Sequence, residues 1–321
     1  MDKIEVVGLG ALNIDNIYLV ERILDDGESV VKETVSLPGG SAANTIYCLG
    51  RLGVSAGFIG VTGDDAEGKV LLGDLQKVGV DTSRIKIKPG AKTGSVLCLS
   101  DGSGKRSLYL QPGANSLLAT DDIDTGYINQ AKIFHLSSFV DLINIDAIKK
   151  LSLSVKVSFA PGALYSSMKL EALSPILART HILFVNRDEI EELTGEDFPQ
   201  GAGVCLSRGC QIVAVTLGKG IEMPSGNGTA TVVCYIKDGA GEYLVESPGS
   251  ELAPEIDTIG AGDAFAAGFL FGLLQGKGLK ECGNIGSVMA RFSITKVGAR
   301  QGLPDLDNLS QRYQQLYNQP L

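Results

Sequence analysis

Short apolar runs alternate with helical patterns along most of the chain. "IEVVGLGALNID" (residues 4–15) is almost continuous in apolar and small residues, which reads as a strand buried on both faces. "SAANTIYCLGRLG" (41–53) repeats its apolar positions at helical spacing and closes on Gly53. "SAGFIGVTG" (55–63) predicts another strand, and "DAEGKVLLGDLQKVG" (65–79) a helix ending at Gly79. The rhythm resumes in "AKIFHLSS" (131–138), "NIDAIKKLSL" (144–153), "VKVSFAPG" (155–162), "HILFVN" (181–186), "RDEIEELTG" (187–195) and "CQIVAVTLG" (210–218). Strand, helix, strand, repeated, predicts an α/β fold with a parallel sheet covered on both faces. No Pro- or Ser-rich linker divides the chain and no repeat marks a solenoid, so residues 1–321 read as one domain.

Two segments keep a different period. Residues 14–38 and 93–110 alternate in the two-residue period of strands, and the second carries the Gly-rich turn "DGSG" expected of a hairpin. Antiparallel strands inserted in a parallel core predict a small accessory sheet. A sheet with one apolar face covers a site, a partner or both.

Composition narrows the partners. Net charge is −9 with no basic tract, which argues against nucleic acid, whose phosphates need clustered Lys and Arg. A small anionic substrate needs only a local site and stays open. The six cysteines (48, 98, 205, 210, 234 and 282) form no C-x-x-C pair and read as free thiols in a reducing, cytoplasmic setting. Residues 1–10 lack the apolar region of a signal peptide, and no apolar run is long enough to span a membrane. The two histidines, His135 and His181, both sit at strand starts and read as structural. Carboxylates, backbone amides and a soluble metal ion are left to carry the chemistry.

"EIDTIGAGDAFAAGFLFGLL" (255–274) concentrates that chemistry. Phe265, Phe269, Leu273 and Leu274 follow a helical pattern, and Gly260, Ala261 and Gly262 precede it. A loop of small residues at a helix start exposes backbone N–H groups, and the helix dipole adds positive potential there. An acid at this place, Asp263, has two readings that the motif leaves open. It is an N-cap, or it is a carboxylate beside an anion-binding loop, suited to deprotonating a hydroxyl that attacks a phosphoryl group. Other nucleotide loops are lacking: the chain has no G-x-x-x-x-G-K-[ST], and "GLGALN" (8–13) places Asn13 where a dinucleotide fingerprint needs its third glycine.

Five segments taken in order carry a resemblance. "GALNIDNI" (10–17), "PGGSAANTIYCLGRLG" (38–53), "VNRDEIEELTG" (185–195), "TLGKG" (216–220) and "DTIGAGDAFAAGF" (257–269) together resemble the motif series of the ribokinase-like, or PfkB, family of carbohydrate and nucleoside kinases. The resemblance implies a doubly wound, mostly parallel sheet with a small strand lid at 14–38 and 93–110, and a homodimer formed through that lid. It implies ATP as phosphate donor, Mg²⁺, and transfer of the γ-phosphoryl group to a hydroxymethyl group of a sugar or sugar derivative. Asp263 would be the base, and the amides of Gly260, Ala261 and Gly262 would stabilise the transferring phosphoryl group. Asn13, Asp15, Gly39, Gly40 and Asn44 would hold the acceptor. Asn186, Thr216, Gly218 and Gly220 would line the ATP site, and Glu189 would bind Mg²⁺ through water. "SITKVGARQGLP" (293–304) resembles the loop that in some members binds a monovalent cation, which would place K⁺ near Asp257 and Thr258.

Plainer readings stand beside these. Asn13 and Asp15 suit a turn at the end of a first strand, and Gly39 and Gly40 a tight turn before a helix. Glu189 suits a solvated first-turn acid, Thr216 a strand end, and Lys219 either a phosphate contact or a surface lysine. "SAAN" (41–44) departs from the Lys-Gly-Ala-Asn type of ribokinases proper, so ribose does not follow from the resemblance. The polar segment 221–239 does not align and leaves the adenine pocket unassigned. A nucleoside kinase, with Phe139 as a wall for the base, and a non-catalytic sensor of sugars or nucleotides are the two rival functions.

Overall fold

Successive residues of the core strands feed two separate apolar layers. In the computed structural model, which describes residues 3–101, 105–139, 148–225, 228–249 and 254–321, Ile182 and Phe184 join one layer while Leu183 and Val185 join the other. Ile212 and Ala214 alternate with Val213 and Val215 in the same way. This two-sided burial is what a parallel strand demands, and it explains the unbroken apolar runs.

The core strands are β1 (Val6–Leu9), β4 (Ala56–Gly63), β5 (Asp81–Lys88), β8 (Ile133–Ser137), β9 (Lys156–Ala160), β10 (Thr180–Asn186), β11 (Ile212–Ser225), β12 (Gly228–Asp238) and β13 (Glu242–Glu246). Among the described residues they form one sheet of order β13-β12-β11-β10-β9-β8-β1-β4-β5. Pairing is parallel from β11 through β5, and β12 and β13 add an antiparallel edge. Residues 221–225 and 228–238 thus belong to this hairpin edge.

The helices are α1 (Ser41–Arg51), α2 (Ala66–Lys77), α3 (Thr125–Ile128), α4 (Gly162–Ser166), α5 (Lys169–Leu177), α6 (Arg187–Thr194), α7 (Phe198–Ser207), α8 (Ala261–Leu274), α9 (Leu279–Ser293) and α10 (Leu306–Tyr317). Buried residues of α1, α2, α8, α9 and α10 cover one face, and those of α3 to α7 the other. Gly53 and Gly79 follow α1 and α2 with φ of 82° and 76°, the left-handed stop expected of them. Helix α8 is buried nearly all round because Gly268 and Gly272 admit α9: a Cβ on Gly268 would lie 2.9 Å from the Gly286 Cα.

A second sheet, order β3-β2-β6-β7, is built from β2 (Asn13–Val20), β3 (Val31–Gly39), β6 (Gly94–Asp101) and β7 (Arg106–Gln111). The two inserted segments do form one sheet, but it is mixed, not antiparallel. The hairpin pairs β2–β3 and β6–β7 are antiparallel, whereas β2 and β6 run parallel with Asn13 opposite Gly94. The reason is topological. β2 follows core strand β1 and β6 follows β5, and those parallel strands deliver both segments in one direction. The turn residues 102–104 lie outside the described residues, as do residues 144–147 of the predicted "NIDAIKKLSL" element.

The reading of residues 4–15 as a single strand is also corrected. The core strand ends at Leu9, and Asn13 and Asp15 begin β2 of the small sheet. Gly10 lets the chain pass beneath α1, since a Cβ there would stand 2.7 Å from that of Ala42. Asn115 then fixes the exit: its side chain accepts from Leu12 N–H (3.0 Å) and donates to the Leu12 carbonyl (3.1 Å).

Candidate active site

Asp263 is the third residue of α8, and the N-cap is Gly260. The capping reading of Asp263 is therefore replaced by another. Its Oδ1 accepts from Ser41 Oγ (2.7 Å) and its Oδ2 from Asn44 Nδ2 (2.8 Å), both on the first turn of α1. Burial pushes the Asp263 carboxyl up to about 6, against the lowering effect of those two donors and of Arg300. A carboxylate held ionised near neutral pH, yet with a raised proton affinity, is suited to accept a proton.

Gly260 adopts φ 75°, and a Cβ there would lie 2.4 Å from the Cβ of Ala299. The turn brings the start of α8 against the 298–300 loop, a place only glycine fits. Ala261 N–H is drawn into that turn by the Thr258 carbonyl (3.3 Å). Of the three loop residues predicted to bind phosphoryl oxygens, Ala261 is the one whose amide already has a partner. The first-turn amides beyond it, Gly262 and Asp263, have no carbonyl a turn earlier to accept them.

Two cavities meet at this loop. The first, about 590 Å³, is lined by Asn13, Asp15, Gly40 and Asn44 together with Gly260 and Asp263. The inner face of the small sheet closes it with Val96, Cys98, Leu108 and Leu110, and Phe139 adds an aromatic wall. The second, about 630 Å³, is lined by Thr216, Gly218, Ala261 and Gly262, with Phe265 and Ser287 among the remaining walls. Asn13, Asp15, Gly40 and Asn44 of the predicted acceptor set and Thr216 and Gly218 of the predicted nucleotide set thus fall into separate chambers on either side of one glycine loop.

Within the first cavity Asn13 is buried, and its Oδ1 accepts from Asn115 Nδ2 (2.8 Å). Asp15 lies against Gly39, where a Cβ would come within 2.2 Å of Oδ2. Burial raises the Asp15 carboxyl to about 7; Arg300 opposes the rise, and the charges of Asp263 and Asp257 add to it. Gly40 caps α1 with φ 95°, and a Cβ there would stand 2.1 Å from the Ala11 carbonyl oxygen. Gly39 and Gly40 therefore do make a tight turn, and that turn is a wall of the cavity. Asn44 lines the cavity, but both ends of its amide are engaged: Nδ2 with Asp263, and Oδ1 with Arg300 Nε (2.9 Å). The amide thus ties Asp263 to Arg300.

On the nucleotide side the positions divide. Asn186 caps α6 and accepts from Glu189 N–H (2.8 Å), while Glu189 Oε2 accepts from Asn186 N–H (2.9 Å). The pair is a reciprocal capping box. It uses one Glu189 oxygen and lines neither cavity. Burial raises the Glu189 carboxyl; the Asn186 N–H opposes the rise and the Asp263 charge adds to it. Gly220 (φ 93°) stands at the register shift of β11 against Thr231, off the cavity wall. Lys219 lines the second cavity and lies 3.5 Å from Glu255, with 85% of its side chain exposed.

Asp257 is fully engaged. Its Oδ1 accepts from Ile259 N–H (3.0 Å) and pairs with Arg106 Nη1 (3.3 Å), and its Oδ2 accepts from Gly298 N–H (2.8 Å). Arg106 Nη2 donates to Thr258 Oγ1. A guanidinium from β7 thus meets the segment where a monovalent cation was expected. Arg106, Ser41, Asn115 and Arg300 were missed by sequence reasoning. Each is a lone polar residue whose partner lies far away along the chain. Only Arg300 carried a signal, a cation in the glycine-rich "KVGARQG". The histidines are structural as read: His135 is buried on Ser158 Oγ (2.9 Å), and His181 meets Gln211 (2.6 Å).

Known proteins agree with this geometry. An uncharacterized sugar kinase of Archaeoglobus fulgidus is 37% identical over 260 residues, 80% of this chain and 98% of the relative. The structure of Arabidopsis thaliana ribokinase complexed with ribose and ATP superposes with TM-score 0.79 at 26% identity, covering 96% of this chain and 98% of that one. Ribokinase of Thermotoga maritima, at 22% identity and TM-score 0.80 over 97% and 99% of the two chains, shares the fold. The pfkB family carbohydrate kinase profile matches residues 1–306. With that coverage, and with the glycine loop and paired cavities in place, the chain belongs to the pfkB family of carbohydrate kinases.

Proposed function

We propose that this chain transfers the γ-phosphoryl group of ATP to a hydroxymethyl group of an uncharged sugar or sugar derivative. The observation that carries the reading is the position of Asp263, in the floor of one cavity and one residue beyond the wall of the other. An acceptor hydroxyl seated beside Asp263 loses its proton to the carboxylate as it attacks. The γ-phosphoryl group crosses the Gly260–Gly262 loop, whose free amides meet its developing charge. ATP fits the second chamber, and its presence with ribose in the Arabidopsis ribokinase structure supports that assignment.

Charge favours a neutral acceptor. Arg106 is the one Lys or Arg lining the acceptor cavity among the described residues, and it is paired with Asp257. Asp15 and Asp263 leave the chamber negative, so a carboxylate or phosphate on the acceptor would be repelled. Residues 1–321 act in this reading as one kinase domain with the small sheet as lid.

Mg²⁺ fits the donor set in one way. Among the described residues no three His, Cys, Asp or Glu side chains converge on a point. The ion would rest on ATP phosphates and water, with the second oxygen of Glu189 reaching it through water; it neutralises the phosphates. K⁺ at Asp257 and Thr258 would have to displace the Arg106 guanidinium, so K⁺ activation should be stronger in Arg106→Ala than in the unaltered chain. Six buried, unpaired thiols suit a cytoplasmic setting. A homodimer would form on the outer face of the lid, where Leu97 and Tyr109 stand side by side with 41% and 61% exposure.

The test is ATP turnover against neutral sugars, sugar acids, sugar phosphates and nucleosides. Turnover with a neutral sugar, lost by about 10²-fold or more in Asp263→Asn, supports the reading. Absence of acceptor-stimulated turnover across the panel, or a wild-type rate in Asp263→Asn, overturns it. Preference for a nucleoside would move the acceptor assignment to the rival kinase.

A further inference from the structure

Arg300 is a cation buried in the protein, with 3% of its side chain exposed. Its guanidinium reaches three elements. Nε donates to Asn44 Oδ1 (2.9 Å), Nη1 to Asp74 Oδ2 on α2 (2.7 Å) and Nη2 to the Gly39 carbonyl (3.1 Å). The group also lies 5.0 Å from the Tyr47 ring centroid. Burying a charge this deeply is tolerated only when it is paired and fully hydrogen-bonded.

The contact with Asn44 decides a direction. A carboxamide has one accepting and one donating end, and either can face a neighbour. Arg300 has donors only, so it fixes the oxygen of Asn44 toward itself and turns the NH₂ toward Asp263. Reversed, the amide would set its oxygen against a carboxylate oxygen. We infer that Arg300 is a positioning residue for the reaction: it orients the Asn44 amide so that the base is held as an ionised, correctly aimed acceptor. Through Gly39 it also secures the turn against which Asp15 rests. The inference rests on Asp263 being the base, and it goes beyond that assignment by giving a distant buried cation a part in setting it.

The charged groups around Asp263 are few. Asp15 on β2 and Glu189 on α6 add negative charge near it, Arg300 adds positive charge, the buried Cys48 thiol on α1 senses its charge, and Asp74 and Tyr47 flank Arg300. Removing the cation raises the proton affinity of Asp263, so the acid limb of kcat should move to higher pH.

The experiment is a double-mutant cycle on Arg300→Met and Asn44→Ala, read in kcat, acceptor KM and the pH profile with ATP and the best acceptor. Arg300→Met should lower kcat by about tenfold or more with a smaller change in acceptor KM, and should shift the acid limb upward. In the Asn44→Ala background it should add little, because the link it acts through is gone. Arg300→Lys keeps one donor and should recover part of kcat; if Arg300→Met does not fold, the cycle is run with this variant. Equal losses in both backgrounds, or an unmoved acid limb, would overturn the inference. Asp263→Asn at a wild-type rate would instead overturn the base itself, so the two failures are distinguishable.

Discussion

Asp15→Asn should make the free protein more stable and a poorer kinase. The carboxylate accepts no hydrogen bond from any described residue, lies against Gly39, and shares its chamber with Asp263. Burial raises its carboxyl to about 7, from the ordinary carboxylate value near 4. Three pKa steps of about 1.4 kcal/mol each put a ceiling near 4 kcal/mol on the destabilisation at pH 8. The side chain is partly open to the cavity, and the amide brings unmet polar groups of its own, so a gain of about 1–2 kcal/mol is expected. The sign follows from proton binding. Between pH 4 and 7 the folded state holds a proton that the unfolded state has released, so stability at this group falls as pH rises. The advantage of Asp15→Asn should therefore be largest at pH 8, shrink by pH 5 and vanish near pH 3. Urea titrations of the ligand-free protein at pH 8 and pH 5 measure it. Acceptor KM should rise at the same time. A variant less stable than wild type at pH 8, or a difference that grows toward acid pH, would refute the argument.

Other substitutions separate structural from chemical roles. Gly260→Ala meets both a positive φ and the Ala299 Cβ, and should cost about 2 kcal/mol or more in urea stability along with most of kcat. Glu189→Gln preserves the capping box, so thermal stability should hold within about 0.5 kcal/mol while the Mg²⁺ concentration for half-maximal rate rises; an unaltered Mg²⁺ titration would make Glu189 a cap only. Arg106→Ala breaks a partly exposed pair, so stability should change by less than about 1 kcal/mol, while acceptor KM rises as the small sheet loses its tie to Asp257. Tyr109→Arg on the outer face should yield a monomer by sedimentation with kcat retained; an unchanged mass distribution would place any dimer elsewhere.

What the chain discloses on its own follows from how each feature is encoded. Core strands are legible because burial on both faces leaves no polar interruption, as in Ile182–Val185. Helix ends are legible because Gly53 and Gly79 are local signals. The exit of the chain at Gly10 is not, since small residues suit a strand and a close passage equally. The parallel seam of β2 with β6 is hidden too, because alternation reports which face is buried and is silent on direction. In the site, Asp263 could be found from its glycine loop. Its setting could not, because Ser41, Asn44 and Arg300 converge on it from far along the chain. The Asn186–Glu189 spacing was visible, but the same spacing encodes a helix cap and a cation contact, and the cap is what the geometry displays.

The exit of the chain at Gly10 has a mechanical meaning. Asn115 holds Leu12 at both its N–H and its carbonyl, so the crossing from core sheet to small sheet is fixed there, with Asp15 on the small-sheet side and Asp263 in α8 on the other. In the proposed reaction, an outward swing of the small sheet about this crossing would part the acid that holds the acceptor from the acid that activates it and would admit solvent between them. An inward swing would bring grip, activation and dryness together in one stroke. Such a swing would couple readiness to occupancy and spare ATP from water while the protein waits.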